Sequence, residues 1–244
     1  MSASHKHQVV GLVRPTERPG TMDQLGPFLP NGVEIKSVSI KMARGTRDEF
    51  EAVIPAYERE VAGLAAQGCD LIHPSGAPPF MVKGYAEEAR IVSAWEKKYN
   101  VPIFTSGQNH VSAMRALGVR NIVGASYFPA ELNAIFTRYF VDAGFDVRAM
   151  DGIDVPFDKV PELPSEQIYN HIQRSVERSR DGDVIYMLGS AWQTLGIIDR
   201  LEQELGIPVV HPVPARAWEI RKRLGIEEPR AGYGRLLATL PPLP

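Results

Sequence analysis

The sequence predicts an α/β fold of two pseudo-symmetric lobes, each a parallel four-stranded sheet flanked by helices. Three observations carry this expectation. Short apolar runs bounded by Gly or Pro alternate with longer segments of helical period, the pattern of strand, crossover helix and parallel strand. The 244 residues suffice for one large domain or two of roughly 110 residues. The chain also resembles itself at a nearly constant offset.

Taken in order, strands are expected at 9–13, 33–40, 71–73, 101–104, 122–125, 145–150, 184–188 and 209–211. Helices are expected at 47–66, 85–99, 111–117, 130–143, 165–180, 193–205 and 215–224. Gly68, Gly118, Gly144, Gly206 and Gly225 stand where helices end, and Pro102 and Pro208 lead into strands. The terminal PPLP reads as a loose tail.

VVGLVRP at 9–15 overlays IVGASYF at 122–128, an offset of 113 (122 − 9). GCDLIHPSGA overlays DGDVIYMLGSA at the same offset, placing Asp70 on Asp183 and Gly76 on Gly189. NVPIFTSG overlays GIPVVHPV with Pro102 on Pro208, and each is followed by a helix ending at Gly118 or Gly225. The expected lobes are 1–118, joined by the C-terminal segment 212–244, and 119–211. Ligands of parallel sheets bind beyond the carboxyl ends of the strands, so the loops of the two lobes would face one cleft. Its expected walls are residues 14–16, 73–79, 105–110, 126–127, 188–191 and 211–214.

Composition narrows the function classes. With 27 Lys+Arg against 29 Asp+Glu, the net charge of −2 gives no support to a nucleic-acid-binding surface. No apolar run reaches the roughly 20 residues of a membrane span. A single cysteine excludes an intramolecular disulfide framework. The opening MSASHKHQ has no secretory hydrophobic region, so a cytoplasmic address is expected. No GxGxxG, P-loop, GxSxG or HExxH occurs, and no nucleotide cofactor is implied.

Several segments together resemble a known family: VGLVRP, the turn GAPP, VSAMRALGVRNIV followed by ASYF, DVIYMLGSAWQTL, ELGIPVVHPVPARAWE and the tail RAGYGRL. They are similar to the aspartate/glutamate racemase superfamily, within it the branch of arylmalonate decarboxylase and maleate cis-trans isomerase. The resemblance spans nearly the whole chain. It implies a racemase-like two-lobed fold, a small carboxylic acid as substrate, no cofactor, and an enzyme of the sort that is often a homo-oligomer. In that family two residues at pseudo-symmetric turns face the reacting carbon, both Cys in racemases and maleate isomerases, Gly then Cys in the decarboxylase. The matching positions here are Gly76 and Gly189. Cys69 precedes its strand and reads as a small buried hydrophobe. Two-base racemisation and covalent thiol addition therefore lack their groups.

Histidine is the expected replacement, because imidazole exchanges protons near neutral pH. His73, His110 and His211 end strands or lie in the loops just beyond; His5, His7 and His171 are set aside. The three lack HxH or HxxxH spacing, and no metal is expected. Tyr127 matches the family tyrosine that donates to a substrate carboxylate. Arg14, at the end of the first strand, is the expected guanidinium for that carboxylate. Ser75, Gly76, Ala77, Asn109, Gly189 and Ser190 complete the expected binding shell, with Gln108 beside Asn109. Ala77 and Pro78 stand where the family carries Thr and Ser, which removes two hydroxyl donors. Phe80, Met81, Trp192 and Trp218 are candidates for shaping an aromatic-sized pocket, Trp218 rather as core.

The expected activity is a cofactor-independent lyase, a decarboxylase of a small di- or polycarboxylic acid, aromatic ones included, with histidine moving the proton. The alternatives are a cis-trans isomerase or hydrolase of a maleate-like acid and a non-catalytic carboxylate-binding protein.

Overall fold

A computed structural model describes residues 8–17 and 25–244, so His5, His7 and the opening segment on which the cytoplasmic expectation rested lie outside the described residues. Strands β1 (Gln8–Arg14), β2 (Val33–Ser39) and β3 (Leu71–Pro74) form a parallel sheet ordered β2-β1-β3. Strands β4 (Asn121–Ser126), β5 (Asp146–Gly152), β6 (Val184–Met187) and β7 (Val209–Val210) form a second, ordered β5-β4-β6-β7 and again parallel. The central strands are buried on both faces, which is why they read as unbroken apolar runs.

The fourth strand expected at 101–104 is reduced to one bridge between Ile72 and Ile103. Pro102 has no N–H to give to a ladder, and the chain turns helical at Ser106. What remains is the Ile72 N–H on the Pro102 carbonyl at 3.0 Å and the Phe104 N–H on the Ile72 carbonyl at 3.2 Å.

The helix expected at 47–66 is two, α1 (Arg47–Ala52) and α2 (Ile54–Ala66). Pro55 cannot donate to the Glu51 carbonyl four residues back, and the Lys83 ammonium takes that carbonyl instead at 3.1 Å. The turn after β3 contains a short helix, α3 (Ala77–Met81), followed by α4 (Tyr85–Tyr99). Helix α5 (Ser106–Ala116) starts five residues before the expected 111, so 106–110 are a first helical turn and not a loop. The second lobe adds α6 (Ala130–Asp142), α7 (Ser165–Ser179) and α8 (Ile198–Leu205). Helix α9 (Pro212–Arg223) begins at a proline, whose fixed φ suits the first helical position. It packs on α5 through the Asn109 amide, which donates to the Ala215 carbonyl at 2.9 Å and to Glu219 at 2.8 Å. Helix α10 (Arg235–Thr239) and a buried Leu240 precede the PPLP tail, whose Pro241 carbonyl accepts the Trp218 indole N–H at 2.8 Å, while Pro242, Leu243 and Pro244 are exposed.

The internal duplication is written in the hydrogen bonds. The Asp70 carboxylate accepts the Val9 N–H at 2.8 Å, and the Asp183 carboxylate accepts the Asn121 N–H at 2.7 Å. At the far ends of the same strands, Ser75 N–H donates to the Val13 carbonyl and Leu188 N–H to the Ala125 carbonyl, both at 2.8 Å. Ile72 and Ile185 donate to the carbonyls of Pro102 and Pro208. These pairs place Asp70 on Asp183 as expected, but they offset β1 and β4 by 112 (121 − 9) and not 113. The structural mate of Tyr127 is therefore Pro15, and that of Arg14 is Ser126.

Candidate active site

Both turns that follow the third strand of a lobe need glycine. Gly76 has φ 95° and Gly189 φ 100°, the left-handed region that side chains avoid. Each glycine is also covered by the residue at its lobe's first strand end. A Cβ on Gly76 would lie 2.9 Å from Pro15 Cγ and 3.1 Å from the Tyr57 hydroxyl, whereas one on Gly189 would overlap the Tyr127 phenol.

Between these turns lies a cavity of about 70 Å³. Its polar lining comes from Thr16, Ser106, His110, Tyr127, Ser190 and Arg216, and its apolar lining includes Met42, Phe50, Phe128 and Phe157. Phe128 stands within aromatic contact of Phe50, Tyr127 and Phe157, at centroid separations of 5.9, 4.7 and 6.2 Å. One flank of the cavity is thus an aromatic cluster against Tyr127.

Arg216 also lines the cavity. Its side chain belongs to α9 and is buried, and among the described residues it has no carboxylate partner and its Nε no hydrogen-bond partner. Burial lowers its pKa to about 10, which still leaves it charged at neutral pH. A buried guanidinium without a carboxylate partner among the described residues costs folding free energy, and its place at the cavity wall gives it the chemistry to take an anion. The sequence signal existed: the overlay of Pro102 on Pro208 also places His110 on Arg216, so the two helices present equivalent positions to the same cavity.

Of the three histidines, His110 alone lines the cavity. The Tyr186 hydroxyl lies 2.9 Å from His110 Nδ1 and has no other hydrogen bond among the described residues. A buried phenol donates its proton, so Nδ1 accepts and Nε2 carries the hydrogen. That Nε2 has no hydrogen-bond partner among the described residues. Burial, then the charges of Arg216 and His211, lower the His110 pKa to about 3, so the ring is neutral in the free protein. A neutral imidazole presenting N–H to a cavity is a proton donor in waiting.

His211 is held otherwise. Its Nδ1 accepts the Val213 N–H at 3.1 Å as the cap of α9, and Nε2 donates to the Thr194 hydroxyl at 2.9 Å. Burial first, and Arg216 second, put its pKa at about 3. Both nitrogens are used, and the ring does not line the cavity. His73 stands behind Ser106: Nδ1 donates to the Phe104 carbonyl at 2.7 Å and Nε2 accepts the Ser106 hydroxyl at 3.3 Å.

Other expected residues divide likewise. Gly76, Ala77, Gly189 and Ser190 line the cavity. Arg14 lies on β1 with its Nε on the Ser37 hydroxyl at 2.7 Å and is not in the lining; the cavity's cation is Arg216. Ser75 spends both its N–H and its hydroxyl on the Val13 carbonyl. Asn109 joins α5 to α9 and does not reach the cavity. Phe80, Met81, Trp192 and Trp218 are core, and Cys69 is buried against Gly11. Among the described residues no cluster of three or more His, Cys, Asp or Glu side chains is arranged to hold a metal ion. No helix among them is long and apolar enough to cross a membrane.

Comparison with known proteins gives this geometry its family. Residues 10–237 match the family profile described as arylmalonate decarboxylase. Arylmalonate decarboxylase of Bordetella bronchiseptica is 24% identical over 212 residues, covering 86% of this chain and 85% of the relative. Maleate isomerase of Geobacillus stearothermophilus is 20% identical over 246 residues, covering 96% and 98%. Among solved structures, maleate isomerase of Pseudomonas putida S16 superposes with a TM-score of 0.85 at 18% identity, over 96% of this chain and 99% of that one. A variant of the Nocardia farcinica maleate cis-trans isomerase with a covalently bound succinylcysteine intermediate gives 0.86 at 23%, over 95% and 98%. Arylmalonate decarboxylase gives 0.81 at 22%, over 94% and 98%. These superpositions establish the two-lobed fold, and with the match across residues 10–237 they assign the chain to the arylmalonate decarboxylase family.

Proposed function

We propose that this protein is a cofactor-independent decarboxylase of a small di- or polycarboxylic acid, with Arg216 holding a retained carboxylate and His110 returning the proton. The observation that carries the reading is Arg216: a buried, charged guanidinium without a carboxylate partner among the described residues, on the wall of the cavity that His110 also lines.

Loss of CO2 from a carbon bearing a second carboxylate moves an electron pair into an enediolate spread over the retained carboxyl group. Negative charge therefore grows where the guanidinium already binds, and the interaction is stronger in the transition state than in the ground state. The Tyr127 hydroxyl adds a donor in the same cavity. The departing carboxylate is best left without cationic partners, and the aromatic cluster of Phe50, Phe128 and Phe157 offers such a surface. The enediolate carbon then takes the proton from His110 Nε2 while Nδ1 takes the proton of the Tyr186 hydroxyl 2.9 Å away, so the ring stays neutral; solvent afterwards returns a proton to Nε2 and Nδ1 returns its own to Tyr186. A substrate anion at Arg216 offsets only the second cause of the lowered His110 pKa, the Arg216 charge; burial, the first, keeps the ring neutral.

The covalent route named for one relative requires a thiol, and the cavity lining contains none. This favours decarboxylation over isomerisation by thiol addition. The test is a substrate panel of methylmalonate, phenylmalonate and maleate with no added metal or cofactor, read by product mass. The proposal expects CO2 from a substituted malonate and no fumarate from maleate. Conversion of maleate to fumarate establishes the isomerase, and thermal stabilisation by all three acids with consumption of none establishes a binding protein.

A further inference from the structure

We propose that Ser106 and His73 form a nucleophilic dyad that gives the cavity an acyl-transfer activity toward small esters. Ser106 lines the cavity at the first position of α5, and His73 lies directly behind it at the end of β3. The relation of the two is that of an activated serine. The Phe104 carbonyl can only accept, so at 2.7 Å it fixes the proton on His73 Nδ1 and leaves Nε2 as an acceptor. Ser106 Oγ stands 3.3 Å from that Nε2. Stacking on the Phe104 ring, with centroids 4.3 Å apart, holds the imidazole plane.

Two further features favour the alkoxide. The Gly76 N–H donates to Ser106 Oγ at 3.0 Å, and the hydroxyl sits in the first turn of an 11-residue helix, whose N-terminus stabilises negative charge.

The chemistry balances with water as co-reactant. Ser106 Oγ–H passes its proton to His73 Nε2 while Oγ bonds to the ester carbonyl carbon, and the π pair moves to the carbonyl oxygen. Collapse breaks the bond to the leaving oxygen, which takes the proton from Nε2. Water then repeats the sequence in reverse: it loses a proton to Nε2, its oxygen bonds to the acyl carbon, and Ser106 leaves with the proton restored.

The test uses the full chain with p-nitrophenyl acetate, read by nitrophenolate release and peptide mass. The dyad predicts an acetyl adduct on Ser106 that Ser106→Ala abolishes and that His73→Gln slows about 100-fold or more. Because His73 is buried and its replacement can disturb packing, a second readout is Ser106→Cys in a Cys69→Ala background. The groups facing His73 are Arg216, His110 and Arg223, all cationic or neutral. The introduced thiol should alkylate with iodoacetamide with a midpoint below the ordinary thiol value of about 8.5. Acetylation that survives Ser106→Ala, or a thiol midpoint at or above about 8.5, overturns the dyad. Neither result touches the roles given to Arg216 and His110, whose failure would appear only in carboxylate turnover.

Discussion

Tyr127 covers Gly189 so closely that a Cβ on the glycine would overlap the phenol oxygen and ring. At the symmetry-related turn, Pro15 and Tyr57 approach a Cβ on Gly76 only to 2.9 and 3.1 Å. Installing a thiol is therefore harder in the second lobe than in the first. Both sites cost about 1–3 kcal/mol of backbone strain for a side chain at positive φ. Gly189→Cys should lose clearly more than Gly76→Cys in denaturant unfolding, and Tyr127→Ser should recover part of that excess. Equal losses at the two glycines would show that Tyr127 moves freely and does not shape the turn.

Arg216 should trade stability for binding. Replacing an unpaired buried guanidinium with Met removes a desolvation cost, so Arg216→Met is expected to gain about 1 kcal/mol or more in unfolding free energy. The same variant should lose most of the thermal stabilisation that a substituted malonate gives the wild type. A variant that is less stable yet still binds would place the guanidinium in structure and not in recognition.

The three buried histidines predict an acid limb of stability. His110 and His211 have folded pKa values of about 3, and His73 lies well below 6.5, burial being the largest cause in each. A group whose pKa is lowered on folding contributes fully above its unfolded value and loses that contribution as pH falls. The melting temperature should thus decline from about pH 6.5 downward as the unfolded chain takes up protons first. Glu88 runs the other way: burial raises its pKa to about 7, so its contribution is lost as pH rises from 4.5 through 7. Glu88→Gln should remove this smaller loss and leave the acid limb intact. A melting temperature flat from pH 7 to 4 would contradict the neutral, buried state of the histidines.

Tyr186 positions His110 without lining the cavity. Tyr186→Phe removes the donor that fixes the tautomer, so kcat should fall with KM little changed, whereas His110→Gln should lower turnover by about 100-fold to 10,000-fold. A rise in KM alone in Tyr186→Phe would assign the tyrosine to the pocket's shape.

How much of this was legible beforehand follows from what periodicity encodes. Seven of the eight expected strands, the pairing of Asp70 with Asp183 and the glycines at 76 and 189 were readable, because burial, turn geometry and internal repetition leave local marks. The break at Pro55 has a local cause, the missing proline N–H, that the apolar period running through 47–66 masks; what no local pattern shows is that the Lys83 ammonium, 32 positions away, takes the freed Glu51 carbonyl. The early start of α5 was missed because the polar run SGQNH has no apolar period, although it is what puts Ser106 and His110 one turn apart on one face. Arg14 attracted attention by lying at a strand end. Arg216 sits inside ARAWEIRKR, where a charge ordinarily means a solvated helix face, and only the packing of α9 on α5 turns it inward.

The most direct test of the central claim is turnover of phenylmalonate or methylmalonate in D2O without added cofactor, comparing the wild type with His110→Gln. The account predicts CO2 release, one deuterium on the carbon that lost it, and a rate at least about 100-fold lower in the variant. Undiminished turnover in His110→Gln, or substituted malonates that bind and are never consumed, would contradict it.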